Sequence, residues 1–272
     1  MNPLARRMFE LVEPIGLIPY SAAEPNEAMF ALGFTNYWDT YFAGRAAPLG
    51  RVPAEVVDAL FYNFAPGEVA RHIPKVWATT TPEAALAARR LGCAKALRRI
   101  LGDRVETAEF ARGAELLTKA ATSATVDGRP MYAALLSVAI PDDLVTRLFH
   151  AGSLLREHRG DGHITALMSE GIGGLEAHVL FALAMEMPAE QFGRIHHLPA
   201  VQIAAVIDGM RARGLVGDDG RLTVAGRMVK QRVEALTDDL AAKPYEGLDP
   251  AELDELITCL ESIAPVLVAA QD

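Results

Sequence analysis

The chain has 272 residues, 51% of them hydrophobic, with 26 Lys and Arg against 35 Asp and Glu and a formal net charge of −9. That length and apolar content suit one large or two small globular domains with a sizeable core. The acidic balance argues against a dedicated binder of nucleic acid or anionic membrane, because both need attracting positive charge. Cys93 and Cys259 are the only cysteines, each in an apolar helical context, so two buried thiols, a cytoplasmic location and no cysteine metal site are expected. The opening residues lack the apolar core of a signal peptide, and no run of about 18 apolar residues is present to span a membrane.

Almost every segment has helical periodicity. Asn2-Pro3 opens a first helix. Further helices are expected at 25–32, 37–45, 53–64, 66–72 and 82–101, the last capped by Thr81, opened by Pro82 and stopped by Gly102. A helix over 107–123 leads to the turn Val126-Asp-Gly-Arg-Pro130, the expected linker between an N-terminal helical domain (1–125) and a second domain (131–272). Helices then follow at 141–158, 163–170, 175–186, 188–196, 199–213, 225–242 and 250–269. Strand is expected only around Asp219-Gly220, where Leu215-Val216 and Leu222-Thr223-Val224 flank a strong hairpin signal. Residues 61–72 can be laid over 181–194, each an apolar helix meeting Pro and followed by a Pro-started helix, so a duplicated helix-turn-helix unit stands beside chance alignment of Ala-rich helices.

Two Arg/Gly corners concentrate the functional groups. The first is Arg156-Glu157-His158-Arg159-Gly160-Asp161-Gly162-His163. Gly160 and Gly162 are expected to break a helix there, with Asp161 capping the next one and presenting its N–H groups to an oxyanion beside Arg159 and His163. His150 lies roughly 20° round the helix from Glu157, on the same face. Three readings are open: a polar hinge, a small-molecule site, and a metal site using His158, Asp161 and His163 at a spacing that matches no familiar zinc motif. No metal and no cofactor are assigned. The second corner is Tyr37-Trp38-Asp39-Thr40-Tyr41-Phe42-Ala43-Gly44-Arg45, an aromatic stripe that is either core or a cage for an aromatic acid with its charge on Arg45. Asp39 is a partner for Arg45 or an exposed acid. His72 and His178 read as core or rim, and His196-His197 as a helix cap.

Arg213-Gly214-Leu215-Val216, Asp219-Gly220-Arg221, Leu222-Thr223 and Gly226 resemble the winged-helix core of MarR-type regulators over residues 174–232. YFAGRAAPLG, FYNFAP and LLREHRGDGHITAL together with that wing resemble an actinobacterial helix-turn-helix family of unassigned function over nearly the whole chain. The resemblances imply a mainly α fold with a winged-helix C-terminal half, and bring no catalytic residue with them.

The base-reading half of the expected recognition helix, 199–207, carries Gln202 as its only polar side chain, and the wing tip holds Asp218 and Asp219. Residues 164–243 hold eight Lys/Arg and ten Asp/Glu. Arg211, Arg213, Arg221, Arg227, Lys230 and Arg232 form a basic rim without a reading face. The favoured reading is therefore a small-molecule-binding protein on a winged-helix scaffold, monomeric or homodimeric. Its ligand would be anionic, aromatic or both, held by Tyr37, Trp38, Tyr41 and Arg45 with His150, Arg156, Glu157, His158, Arg159 and His163. A ligand-responsive MarR-like DNA-binding regulator is the alternative, contacting DNA through Gln202, Arg211, Arg213, Arg221 and Arg227. A cofactor-independent enzyme is the third reading, with His163 or His158 as acid/base and Asp161 or Glu157 orienting it.

Overall fold

A computed structural model describes residues 2–189 and 198–271. The helix expected at 188–196, the end of the second repeat unit and His196-His197 lie wholly or mostly outside the described residues.

The chain opens on α1 (Pro3–Ser21), where Asn2 accepts the Ala5 N–H and Pro3 takes the first helical position. Next come α2 (Ala23–Phe30), α3 (Tyr37–Ala46), capped by Asn36, and α4 (Ala54–Phe61). The α-helix expected at 66–72 is instead a pair of 3-10 turns, Val69–Arg71 and Lys75–Ala78. Gly67 at φ +82° and Pro74 interrupt that stretch from both sides. The helix α5 (Pro82–Leu101) starts and stops at Thr81 and Gly102 as expected. It is followed by α6 (Ala108–Ala121) and α7 (Pro130–Leu136).

The largest departure from the sequence reading is α8 (Leu144–Ser169), a single helix of 26 residues running straight through Gly160-Asp161-Gly162. Two interior glycines cost about 1 kcal/mol each relative to alanine, and packing offsets this. A Cβ at Gly162 would overlap Arg129, whose guanidinium crosses there to donate to the carbonyls of His158 and Leu240, both at 2.9 Å. Gly152 admits Ile15 of α1 in the same way. Asp161 does not cap its own chain continuation. Its carboxylate accepts the N–H groups of Tyr132 (3.0 Å) and Met131 (3.4 Å) at the start of α7.

This helix is the axis of the molecule, packed against α1, α5, α6, α7 and α11 (Val224–Ala241). One apolar cluster joins α1, α5, α6 and α8 to α12 (Pro250–Ala269), so residues on both sides of the 126–130 turn share it. A second gathers the rings of α3 and α4 with Phe64 and Trp77. The third joins the end of α8 to α9 (Gly174–Ala184), α10 (Ala200–Ala212) and α11. Between α10 and α11 the expected hairpin turns at Gly220 (φ +74°), but its strands reduce to one bridge, Val216 to Leu222, because only a residue or two on each side can pair. Among the described residues no single helix is long and apolar enough to cross a membrane.

Candidate functional site

The two Arg/Gly corners meet. Arg45, on the last turn of α3, donates from Nη2 to Glu157 of α8 at 3.3 Å and lies 4.2 Å above the Phe61 ring. Two residues along α8, Arg159 lies 4.3 Å from the Phe9 ring centre and bonds Asp238 of α11 at 2.8 Å. Arg156 reaches Glu13 of α1 at 3.2 Å, past Gly16, whose missing Cβ leaves room for the arginine stem. Lys230 pairs with Glu234 one turn apart on α11. These side chains rim a cavity of about 380 Å³ between α1, the end of α4, α8, α9 and α11. Its apolar walls are Phe9, Leu60, Phe61, Leu167 and Phe181, a mixture suited to a drug-sized organic molecule.

Each cation lining the cavity has a carboxylate partner. Burial works against the charged form of Glu157, yet Arg45 and Arg156 outweigh it and hold the carboxyl below its ordinary value; the Arg45 guanidinium is raised in return. Burial likewise opposes Glu234, but Lys230 and Arg6 hold it down at about 2. For Asp161 burial prevails over the two α7 N–H groups and pushes it up to about 6.

His163 lines the cavity and its Nδ1 lies 2.9 Å from the Thr237 hydroxyl oxygen. That hydroxyl donates its own proton to the Val233 carbonyl at 2.6 Å, so Nδ1 is the protonated nitrogen and Nε2 keeps its lone pair. Burial lowers His163 to about 4, leaving it neutral at pH 7. The unfolded chain takes up this proton near pH 6.5 and the folded chain only near 4, so stability falls as pH drops through that window. His158 (about 4) and His150 (about 3), both lowered by burial, act in the same direction, and Asp161 opposes them between pH 6 and 4. Replacing His163 by asparagine should make the stability lost between pH 7 and pH 5 smaller by about 2 kcal/mol. Urea unfolding of both proteins at the two pH values measures this, and equal losses would contradict the assignment.

Other expected site residues lie elsewhere. His158 is buried in the core, edge-on to Tyr132 at 5.1 Å, and does not line the cavity. Tyr37, Trp38 and Tyr41 belong to a ring cluster with Phe42 and Phe64, and only Tyr41 turns its hydroxyl to Arg45, at 3.2 Å. Asp39 is neither a partner for Arg45 nor exposed. It accepts from Asn36 and Lys75 and meets His72 Nδ1 at 2.7 Å, while His72 reaches Glu68 at 3.4 Å through its other nitrogen. His150 and Glu157 do share a helix face, but His150 looks away from the cavity, toward Arg90.

Away from the cavity lining, α10 exposes Val201 (74%), Gln202, Ala204, Ala205 and Asp208. Arg211 pairs with Asp208 at 2.7 Å, Arg213 with Glu176 at 2.8 Å, and Arg227 donates to the Leu222 carbonyl. Arg221 stands exposed beside the turn. Residues missed in the sequence are Arg6, Glu13, Phe61, Phe181, Glu234 and Asp238. Of these only Glu234 and Asp238, which continue one helix face from Lys230 at one residue per turn, carry a local signal.

A mainly helical chain of this order has a family to belong to. A family model described as a helix-turn-helix family matches residues 5–272, and the chain belongs to that family. No curated protein and no solved structure matches it.

Proposed function

We infer that the chain is a small-molecule-binding member of the helix-turn-helix family, with α9, α10, the turn and α11 serving as a MarR-like winged helix. The cavity of about 380 Å³ carries this reading, because its walls come from the N-terminal helices on one side and from α9 and α11 on the other. Rings at Phe9, Phe61 and Phe181 suit an aromatic body. The cations there are matched by Glu13, Glu157 and Glu234, so an anionic group must compete with a carboxylate, and a neutral or zwitterionic aromatic ligand meets less opposition. His163 Nε2 adds an acceptor on the wall and, with Asp161 beside it on the lining, keeps acid–base chemistry in view.

Gly160 gives a direct test. It lines the cavity, and a Cβ there would meet only Glu157 Oε2 at 3.9 Å. Gly160→Leu should fold at least as stably as the parent, gaining about 0.5–1 kcal/mol of helix propensity. It should also weaken binding of a ligand retained in native mass spectra by about tenfold or more, because its side chain fills the site. Equal retention by parent and variant would place the ligand elsewhere.

Family membership favours a second reading, a DNA-binding regulator. Its expected contacts are weakly equipped, since the outward face of α10 offers Gln202 among small apolar residues. Duplex titration at low and high salt decides: affinity that falls steeply with salt and drops on Arg221→Ala supports a regulator.

A further inference from the structure

Behind the cavity wall, α1, α3, α5, α7 and α8 border a second, smaller and partly open hollow of about 30 Å³, room for two or three water-sized groups. The Arg45–Glu157 pair lines both spaces. Among the described residues four arginines line the hollow, Arg45, Arg89, Arg90 and Arg156, with Glu157 as the one carboxylate on its wall. Glu13 reaches Arg156 from outside it.

Arg90 is the informative member. Its Nη2 donates to His150 Nδ1 at 2.8 Å and to the Ala139 carbonyl at 3.3 Å, neither of which is negatively charged. Burial and Arg90 itself lower His150 to about 3, so the imidazole is a neutral acceptor. The Nε atoms of Arg90 and Arg45 are buried without a hydrogen-bond partner. Arg89 is occupied by the Tyr20 hydroxyl, at 3.0 Å, again an uncharged group. Gly16 and Gly44 complete the wall, each leaving an arginine stem the space a methyl would take. A half-buried guanidinium lacking a counter-charge is unfavourable, and a cluster with an excess of cations around a small space of mixed polar and apolar lining is made favourable by an anion. Arginine is the side chain best shaped to hold one.

We propose that the hollow between α1, α3, α5 and α8 binds a small monovalent anion, of halide or formate size, on Arg90 and Arg45. This goes beyond the reading of the larger cavity and does not depend on it. The Glu157 carboxylate stays with Arg45 and Arg156, so the anion sits toward Arg90.

Thermal melts of the full chain in sodium bromide and in sodium formate, each against sodium gluconate at equal ionic strength, test the site. Bromide, formate or both should raise Tm by about 2–3 °C at ten times the dissociation constant, with a saturating dependence. Arg90→Gln should abolish the rise. Arg112→Gln, which removes an exposed charge paired with Glu255 far from the hollow, should keep it. Bromide alone acting identifies a halide site, and formate alone a carboxylate site. Melts in bromide and formate that track gluconate overturn the proposal, as does an undiminished response in Arg90→Gln. Should that variant fail to fold, anomalous diffraction from bromide-grown crystals of the unchanged protein decides. A peak against the Arg90 guanidinium supports the site, and its absence there overturns it.

Discussion

Replacing Asp238 by asparagine should destabilise the protein by about 3 kcal/mol, measured by denaturant unfolding at pH 7. Asp238 is fully buried on α11, and its two oxygens hold two different helices: Oδ1 takes Arg159 of α8 at 2.8 Å and Oδ2 takes Arg6 of α1 at 3.0 Å. Removing one member of a buried ion pair leaves the other charge uncompensated, which costs roughly 3–5 kcal/mol. Arg6 is about a quarter exposed and Glu234 also contacts both arginines, so the lower end applies. The asparagine keeps shape and one acceptor, which isolates the charge. A second cycle partner sharpens the test: once Arg159 is methionine, Asp238→Asn should cost less than it does alone. A loss under about 1 kcal/mol in the single variant would mean that Glu234 suffices to neutralise both arginines.

Gly174→Ala should cost about 3 kcal/mol and loosen the cavity at the same time. Gly174 is the first residue of α9, and a Cβ there would overlap the carbonyl oxygen of Tyr62, a backbone atom that no rotamer change can remove. Tyr62 itself is held at φ +62°, and its hydroxyl donates to the Ile172 carbonyl at 2.5 Å, fastening the 62–63 corner to the turn before α9. The added methyl must drive α9 from that corner, and Tyr62, Asn63, Ala177 and Phe181 all line the cavity. Hydrogen exchange should therefore speed up in α9 while α5 and α6 stay protected. Uniform exchange rates in all helices would instead mean global destabilisation with no local opening.

Helix starts were legible at several positions where a side chain caps locally, though the 26-residue helix starts at Leu144 under Asp143 and not at the expected 141. Asn2, Asn36, Thr81 and Thr107 each accept an N–H three residues on, a pattern that depends on nothing distant. The same local reasoning misplaced Gly160-Asp161-Gly162. Glycine's helix cost is intrinsic, but what offsets it is Arg129 crossing from 33 positions upstream of Gly162 and an aspartate whose partners lie on another helix. Both corners stood out in the sequence as charged groups near an apolar core, but the pairing of Arg45 with Glu157 was not legible, because no spacing argument brings together residues 112 positions apart. Arg6 with Asp238, and Arg90 with His150, had no signal at all, since 232 and 60 residues separate the partners. The aromatic stripe of α3 illustrates a different limit: periodicity reports that a face is buried, and the structure alone tells whether neighbouring rings or a ligand bury it.

Arg45 and Glu157 form a shared wall, bordering a large organic-sized space on one side and a small cation-rich one on the other. Such a wall makes the two spaces thermodynamically linked. An occupant that draws Arg45 toward one side alters the charge left facing the other. Whatever factor the first occupant imposes on the affinity of the second, the second returns unchanged to the first. With both proposed occupants, the ion pair would be a balance beam between two compartments, and the salt composition of the medium would become a variable of ligand affinity without any anion entering the larger space.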